Sequence, residues 1–288
     1  MNDINPIIVI IATFNRKDRL LKAVESITKQ SSPNWKLVIV DDGSEDGTEE
    51  YLNSLSDPRI LTYSFDKNSG VNKARNKAID IIQEKDISGY ITLLDDDDVF
   101  QTRCFEEFSS IVQSKKISGF NWFTANCTRV DGGKISKIQS YGPASYVFDY
   151  MYGKKIRGDL THFINTKIIG DIRFTTQFKN SEEWFFFSQI AKGNDLYTID
   201  YDAKIVETLP TGLLSSQVNK DKKIEILKYK LETFREFLPE KYTSLQTISL
   251  SNELAKSGQK KEARRLLNDI SLKNKIRYKY LLAYLRCK

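Results

Sequence analysis

The sequence has 288 residues, 40% hydrophobic and 28% charged, which is typical of a globular protein and argues against a disordered chain. The longest early apolar run, Ile7 to Ala12, is too short to span a bilayer, and no basic segment precedes it as in a signal peptide. Three widely spaced cysteines, Cys104, Cys127 and Cys287, argue against a disulfide framework or a cysteine-based metal site and indicate a reducing compartment.

The net charge of +6 is unevenly distributed along the chain. Residues 219–288 contain 18 Lys and Arg against 8 Asp and Glu, a net of +10, which leaves the preceding part near −4. Such a basic segment suits contact with an anionic membrane surface, although lysine-rich helix faces are often only solvated. Nucleic acid is not expected as a partner, because no reading motif is recognisable and acidic loops repel phosphate.

The first hundred residues alternate short apolar runs with amphipathic segments. We predict strands at residues 6–12, 35–40, 60–65 and 90–94, and helices at 18–30, 48–55 and 71–83. The apolar face of the first helix is predicted to contain Leu20, Leu21, Val24 and Ile27. Strands joined by short helices imply a largely parallel sheet that is covered on both faces, and ligands of such sheets bind at the carboxyl ends of the strands.

After residue 100 the pattern changes. We predict a helix at 104–115, a hairpin of strands 120–130 and 134–140 around Asp131-Gly132-Gly133, a strand at 161–165 followed by a short helix, a helix at 182–192, and strands at 196–200 and 204–207. The aromatic-rich residues 141–180 give few other signals. From about residue 219 the pattern is helical throughout, with breaks at Pro239 and Ser257-Gly258.

Four carboxylates, Asp95 to Asp98, directly follow the apolar run Tyr90 to Leu94. At the end of a buried strand, their mutual repulsion favours a bound cation or shifted pKa values. Hard carboxylate oxygens without a thiolate or imidazole nearby in the sequence favour Mg2+ or Mn2+ over zinc. The alternative is a solvated loop in which Asp98 caps a helix that begins near Thr102.

Polar motifs stand at the ends of the predicted strands in a fixed order. They are Ala12-Thr13-Phe14-Asn15-Arg16, Val40-Asp41-Asp42-Gly43-Ser44, Asn68-Ser69-Gly70 with Ala74-Arg75-Asn76, Leu94 to Asp98, and Ser181-Glu182-Glu183-Trp184. Over roughly the first 210 residues, this order and spacing resembles glycosyltransferase family 2, a large inverting family that uses nucleotide-sugars.

The resemblance implies an α/β GT-A fold. We expect a single, mainly parallel, twisted sheet with helices on both faces, a Rossmann-like nucleotide half and an α-helical C-terminal extension. The expected glycosyltransferase domain spans residues 1–218, with a nucleotide-binding half at 1–100 and an acceptor-binding half at 101–218. A basic helical region over residues 219–288 follows it.

The resemblance also assigns residues to the nucleotide. They are Thr13, Asn15, Arg16, Asp41, Asp42, Asn68, Gly70, Arg75, Asp95 and Asp96. Asp42, or its neighbour Asp41, is expected to accept the ring N–H of uracil. Gly70 permits the positive φ of a tight turn, and Arg75 suits an anionic donor, although a surface ion pair is the alternative for Arg75.

By the same resemblance, Asp97 is the expected ligand of Mn2+ or Mg2+, with Asp95 as a second ligand. Asp95 or Asp96 is also expected to hold the ribose hydroxyls or metal-bound water, so the individual roles stay open. The metal would neutralise charge that develops on the departing diphosphate. Many family members carry a downstream histidine ligand, but residues 207–212 contain none, and His162 is the only histidine of the chain.

The resemblance makes Glu183 the expected catalytic base and Glu182 the alternate. The family carries a Glu-Asp pair at this helix start, with Glu183 here in the Asp position. In an inverting transfer one carboxylate removes the proton of the acceptor hydroxyl. The alternative is helix-dipole stabilisation, because acidic residues are favoured in any first helical turn.

These features together imply a metal-dependent inverting transfer from a UDP-sugar to a glycan or lipid-linked saccharide in the synthesis of bacterial capsule, O-antigen or lipooligosaccharide. The expected location is cytoplasmic, with peripheral membrane contact through the basic helices. At most two aromatic residues between 141 and 187 are expected to touch a sugar. The alternative is a non-catalytic nucleotide-sugar or membrane-surface binding protein, which the intact carboxylates disfavour. No Gly-x-Gly-x-x-Gly motif follows the first strand, which disfavours an NAD enzyme.

Overall fold

The computed structural model describes residues 5–114, 117–178, 183–207, 220–235, 237–275 and 278–287. The chain forms two compact units, unit 1 over residues 1–209 and unit 2 over residues 210–288.

The strands of unit 1 are β1 (Ile7–Thr13), β2 (Trp35–Asp41), β3 (Ile60–Ser64), β4 (Tyr90–Leu93), β5 (Val99–Phe100), β6 (Trp122–Arg129), β7 (Lys137–Ile138), β8 (Gly142–Ala144), β9 (Ile156–Arg157), β10 (Leu160–Asn165) and β11 (Leu196–Val206). Its helices are α1 (Lys17–Thr28), α2 (Thr48–Ser54), α3 (Val71–Glu84), α4 (Cys104–Gln113) and α5 (Glu183–Ile190), with a π-helix at Tyr146–Tyr152 and a 3-10 turn at Thr166–Ile168.

Within the described residues, nine strands form one sheet in the order β3-β2-β1-β4-β10-β6-β11-β5, with β8 paired to β11. The first four of these strands are mutually parallel. β1 and β2 are buried along almost their whole length, which explains their mainly apolar composition, since helices cover both faces of such a sheet. The predicted fold class, a mainly parallel sheet with a helical C-terminal part, is confirmed.

The other half of the sheet has mixed strand directions. β10 is antiparallel to both β4 and β6, while β11 is parallel to β6 and antiparallel to β5. The prediction of two strands over residues 196–207 is wrong, because β11 is one continuous strand. Its pairing with β6 shifts in register between Thr198 and Lys204. Such an irregularity interrupts the alternation of apolar and polar residues without ending the strand.

The hairpin predicted around Asp131 is also wrong in its extent. The turn itself forms, because the Arg129 N–H donates to the Gly133 carbonyl at 2.8 Å. Beyond it, pairing is limited to a single bridge between Thr128 and Lys134. The chain then leaves β6, and β7 pairs with β9 in a separate two-stranded sheet.

The helix α1 packs on one face of the sheet through a stripe at helical spacing. Its buried residues are Leu20, Ala23, Val24 and Ile27, which join a hydrophobic core with Phe105 and Phe108 of α4. The placement of Leu21 on this face was a wrong prediction, because its side chain is 39% exposed. Ala23 occupies the buried position instead, which fits the i, i+3, i+4, i+7 spacing of a single helix face.

Unit 2 is helical over its described residues, as predicted. Its helices are α6 (Lys220–Phe234), α7 (Glu240–Lys256), α8 (Lys260–Asn268), α9 (Leu272–Lys275) and α10 (Tyr278–Cys287). Pro239 precedes α7, and Gly258 with a φ of 87° lies between α7 and α8, so both predicted breaks are present. None of the helices in the described ranges combines the length and the apolar character needed to cross a membrane.

Candidate active site

The carboxyl ends of β1, β2 and β4 lie at the same edge of the sheet because these strands are parallel. Thr13, at the end of β1, is in register with Asp41, at the end of β2. The four carboxylates begin just after β4. This edge therefore brings together motifs that are up to about eighty residues apart in the chain.

Asp96 connects the carboxylate run to the first loop. The Thr13 hydroxyl donates a hydrogen bond of 2.8 Å to Asp96 Oδ2, and Arg16 Nη1 lies 2.9 Å from Oδ1 of the same carboxylate. The residue is only 4% exposed. Burial raises the pKa of Asp96, although the charge of Arg16 opposes this. Both oxygens are engaged, so Asp96 holds the first loop in place against the end of β4.

Asp97 is paired with two arginines near the start of α1. Its Oδ2 lies 3.0 Å from Arg16 Nη1 and 3.7 Å from Arg19 Nη1. Burial lowers the pKa of Arg16, but the charges of Asp96 and Asp97 outweigh burial and raise it. The carboxylate of Asp97 thus has cationic neighbours in the protein itself.

Arg75 of α3 joins two further carboxylates. Its Nη2 lies 2.9 Å from Asp95 Oδ1, and its Nη1 lies 2.7 Å from Glu183 Oε1 at the start of α5. The Arg75 side chain is 6% exposed, whereas those of Asp95 and Glu183 are 53% and 38% exposed. Burial favours the neutral acid at both carboxylates. At Asp95 the charge of Arg75 outweighs burial and lowers the pKa, while at Glu183 burial prevails and the pKa is raised.

Asp98 is a structural partner of β11. Its Oδ2 lies 2.7 Å from Lys204 Nζ, and its Oδ1 accepts the Glu207 N–H at 3.2 Å. Burial raises the pKa of Asp98 to about 6, although Lys204 opposes this. Asp98 does not cap α4, since that helix begins at Cys104 with Arg103 before it. The interpretation of Asp98 as a helix cap is therefore wrong.

Lys204 was not among the residues predicted for the site. It is only 8% exposed and lies in the middle of the segment Ala203 to Val206. The apolar neighbours Ala203, Ile205 and Val206 are the sequence signal for a buried lysine here, but Asp200 and Asp202 earlier in β11 obscure it.

Asp42 supports a turn rather than an open cavity. It is 3% exposed, and its two oxygens accept the N–H groups of Ser69 and Gly70, both at 2.7 Å. Gly70 has a φ of 97°, which favours glycine at this position. The turn leads directly into α3 and so fixes the helix that carries Arg75.

Asp41 lies on a cavity of about 300 Å³ formed by the loops after β1, β2 and β3. Phe14, Ser44, Phe65 and Asn68 also line this cavity. Ser44 donates its hydroxyl to Asp41 Oδ1. Burial raises the pKa of Asp41, and the hydrogen bonds from Ser44 oppose the shift. The cavity is thus lined by a carboxylate and two aromatic rings, a suitable environment for a planar base with an N–H group.

Asn15 connects the first loop to the second. Its backbone N–H donates to Ser44 Oγ at 2.8 Å, and its side-chain oxygen accepts the Glu45 N–H at 2.8 Å. Asn15 adopts a φ of 52°, a left-handed conformation that asparagine tolerates better than most residues. It therefore shapes the rim of the cavity from the side of the first loop.

The donor atoms at this edge fit a hard divalent cation. Asp95 and Asp97 supply carboxylate oxygens, the ligand type that Mg2+ and Mn2+ prefer. Among the described residues, no group of three or more His, Cys, Asp or Glu side chains could hold an ion. Asp95 and Asp97, with side chains 53% and 18% exposed, are the two carboxylates of the run that could contribute oxygens to a cation.

Two further predictions concern the alternate base, Glu182, and the aromatic residues between 141 and 187. Glu182 lies outside the described residues, as does Ser181 before it. Of the aromatic side chains in this region, Tyr146, Phe186 and Phe187 are at most 4% exposed and belong to the core, whereas Tyr141 and Phe148 are 40% and 42% exposed.

His162 is packed among aromatic side chains and is not part of the carboxylate cluster. Trp122 Nε1 donates to its Nδ1 at 3.1 Å, and its ring lies 4.1 Å from that of Phe187. Burial, helped by the charge of Lys204, lowers the pKa of His162 to about 3. Its neutral state is consistent with a structural role.

Comparison with known proteins identifies relatives of this chain. It is 29% identical over 191 residues to the putative teichuronic acid biosynthesis glycosyltransferase TuaG of Bacillus subtilis (strain 168), covering 66% of this chain and 73% of that protein. It is 32% identical over 109 residues to the UDP-Glc:alpha-D-GlcNAc-diphosphoundecaprenol beta-1,3-glucosyltransferase WfaP of Escherichia coli, covering 38% of this chain and 42% of that protein.

A solved structure shares the fold. The crystal structure of S. aureus TarS 1-349 in complex with UDP-GlcNAc matches with a TM-score of 0.65 at 17% identity, covering 98% of this chain and 81% of that chain. The family model described as Glycosyl transferase family 2 matches residues 8–174, more than half of the sequence. The chain therefore belongs to glycosyl transferase family 2.

Proposed function

We propose that this protein transfers a sugar from a UDP-sugar to a hydroxyl of a glycan or lipid-linked saccharide, with inversion at the anomeric carbon. The observation that carries the proposal is the chain of contacts from Thr13 and Arg16 through the carboxylate run to Arg75 and Glu183. These contacts support the proposal because Arg16, Arg75 and the partly exposed carboxylate of Glu183 all adjoin the carboxylate run.

Glu183 is the proposed general base. Its carboxylate takes the proton of the acceptor hydroxyl while that oxygen forms a bond to the anomeric carbon. The bond from this carbon to the diphosphate oxygen breaks at the same time, and UDP leaves with the electron pair. Partial burial raises the pKa of Glu183, which makes it a stronger base than an exposed glutamate.

The donor would lie along the carboxylate edge. We propose that Asp41 and Asn68 contact the base, that Thr13, Asn15 and Asp96 contact or support the nucleoside, and that Arg16 and Arg75 face the diphosphate. Asp42 and Gly70 act by shaping the turn before α3. When bound, Mn2+ or Mg2+ held by Asp97 and Asp95 would supply positive charge that stabilises the departing diphosphate.

The names of the relatives suggest the pathway. A teichuronic acid enzyme and an enzyme acting on a diphosphoundecaprenol-linked sugar are among them, and TarS was solved with UDP-GlcNAc. We propose that this chain acts in the synthesis of a bacterial surface polysaccharide, in the cytoplasm. The free state of Cys104, Cys127 and Cys287 agrees with such a reducing compartment.

The basic region at residues 219–288 is the proposed contact with an anionic membrane. Salt-sensitive binding to vesicles with anionic lipid, and none to neutral vesicles, is the expected result. Unchanged activity and membrane distribution after removal of the basic region would contradict this role.

The decisive experiment combines binding with transfer. Calorimetry with UDP, GDP, CDP and ADP, each with Mn2+ and with EDTA, is expected to show selective, metal-dependent UDP binding. Transfer from UDP-sugars to lipid-linked acceptors is expected to be lost in Glu183→Gln while UDP still binds. Near-normal transfer by Glu183→Gln would place the base elsewhere, and UDP binding without transfer to any acceptor would favour a non-catalytic binding protein.

A further inference from the structure

The two carboxylates that flank Arg75 belong to different proposed tasks. Asp95 stands at the donor side, and Glu183 is the proposed base for the acceptor. Both are within 2.9 Å of the same guanidinium group. No other arginine or lysine among the described residues forms an ion pair with Glu183. Among the described residues, Arg75 is therefore the one side chain that forms an ion pair with both carboxylates, although the charge of Lys204 also acts on each of them.

The helix α3, which carries Arg75, is joined by hydrogen bonds to residues 174–175. In α3, Asn72 donates to the Thr175 carbonyl at 2.7 Å. Asn76 donates to the Phe174 carbonyl at 2.9 Å and accepts the Phe174 N–H at 2.8 Å. The guanidinium carbon lies 5.5 Å from the centre of the Phe174 ring. The helix that carries Arg75 is thus fixed, while the carboxylates in front of it remain partly exposed.

Two carboxylates already share the single positive charge of this fixed guanidinium, through Nη1 and Nη2. An incoming diphosphate carries more negative charge than one carboxylate and competes for that charge and for the same terminal nitrogens. If it binds Arg75, the pair between Arg75 and Glu183 must weaken. Conversely, the charge of Glu183 must weaken the binding of the diphosphate, because coupling between two sites is reciprocal.

We propose that Arg75 is a positioning residue that couples donor binding to release of the base. Before the donor binds, the guanidinium holds the Glu183 carboxylate at the nucleotide side. The donor diphosphate then takes over N–H groups of Arg75, and Glu183 becomes free to accept a proton from the acceptor hydroxyl. The base is therefore available only when a donor is present. This inference rests on the proposed function, since it requires a nucleoside diphosphate at this edge.

The test measures UDP binding and needs no acceptor. Glu183→Gln keeps the shape of the side chain and removes its charge, so it should bind UDP more tightly than the wild type, by about fivefold or more. Arg75→Gln should bind UDP more weakly. In the double variant the gain from Glu183→Gln should disappear, because no guanidinium is left to compete for. Equilibrium dialysis with labelled UDP up to millimolar concentration keeps weak binding measurable.

Glu49→Gln is the matched control. Glu49 lines the nucleotide cavity and forms no described ion pair with Arg75, so it reports the general effect of removing a negative charge. Its effect on UDP binding should be the same with and without Arg75. Thermal unfolding of each variant checks that the fold is retained.

Two results would overturn the coupling. One is UDP binding in Glu183→Gln that is equal to or weaker than in the wild type. The other is a gain that persists in the Arg75→Gln background, since that would reflect general charge alone. Both leave the proposed function intact if the wild type binds UDP. Absence of UDP binding in the wild type would instead overturn the proposed function, and the coupling with it.

Discussion

Lys204 Nζ lies 2.7 Å from Asp98 Oδ2, and the two residues are 8% and 3% exposed. This buried ion pair joins β11 to the last carboxylate of the run after β4. The Asp98 N–H also donates to the Asp95 carbonyl at 3.0 Å. The pair therefore supports the turn from which the side chains of Asp95 and Asp97 project.

Removal of Lys204 should destabilise unit 1 more than removal of the whole pair. Lys204→Met leaves the buried carboxylate of Asp98 without its cationic partner, which costs about 3–5 kcal/mol. Lys204→Met combined with Asp98→Asn should recover part of this loss. Urea unfolding followed by tryptophan fluorescence checks this, since Trp35, Trp122 and Trp184 all lie in unit 1. A double variant with a lower free energy of unfolding than Lys204→Met would contradict the prediction that the loss comes from the unpaired charge of Asp98.

The turn at Ser69 and Gly70 gives a second prediction. Asp42→Ala removes the acceptor of two backbone N–H groups, and an unpaired buried polar group costs about 1–3 kcal/mol. We expect lower stability in urea unfolding and weaker UDP binding, because the turn positions α3. Asp66→Asn is the control, since Asp66 lines the same cavity. If Asp42→Ala weakened UDP binding no more than Asp66→Asn does, the turn would have no role in holding the nucleotide.

Much of this edge was predictable because it depends on local patterns. Apolar runs mark β1, β2 and β4, and parallel strands must end at the same edge, so the approximate positions of Thr13, Asp41 and Asp95 follow from the sequence. The sequence does not indicate which of Asp41 and Asp42 lines the cavity and which one supports the turn. This depends on which of two neighbouring carboxylates faces the turn at Gly70, and both choices have the same sequence pattern.

Other features of the site depend on contacts between distant parts of the chain, which no local sequence pattern specifies. Lys204 and Asp98 are more than one hundred residues apart, and neither residue indicates the other. Whether β10 and β11 run parallel or antiparallel to the other strands depends on which strands they pair with. The pair of Arg75 with Glu183 likewise requires the relative placement of α3 and α5. These features therefore required the three-dimensional structure.

The arginines beside Asp97 lead to a prediction about the metal. Asp97 Oδ2 is already paired with Arg16 and lies 3.7 Å from Arg19, and these positive charges repel a cation. Mn2+ should therefore bind weakly without a nucleotide and more tightly with UDP, whose phosphates supply ligands and charge. Asp97→Asn should abolish this enhancement in calorimetric titrations of Mn2+ with and without UDP. Micromolar Mn2+ affinity in the nucleotide-free protein would contradict the prediction.

The single histidine of the chain gives a prediction about pH and stability. His162 has a folded-state pKa lowered to about 3, whereas the pKa of an unfolded histidine is about 6.5. As the pH falls below 6.5, the unfolded chain therefore binds a proton that the folded protein excludes. The free energy of unfolding should fall by about 2 kcal/mol from this residue between pH 7 and pH 5.

The comparison with His162→Gln isolates this effect. The glutamine oxygen can accept the hydrogen bond from Trp122 Nε1 but does not titrate. Carboxylates with a raised pKa, such as Asp98 at about 6, act in the opposite direction, because the folded state binds their protons more readily as the pH falls. They are common to both proteins, so the difference between the two stability curves reports His162. Urea unfolding at half-unit steps of pH should show the wild type losing stability relative to the variant towards pH 5. Parallel curves would show that His162 is protonated as easily in the folded protein as in the unfolded chain.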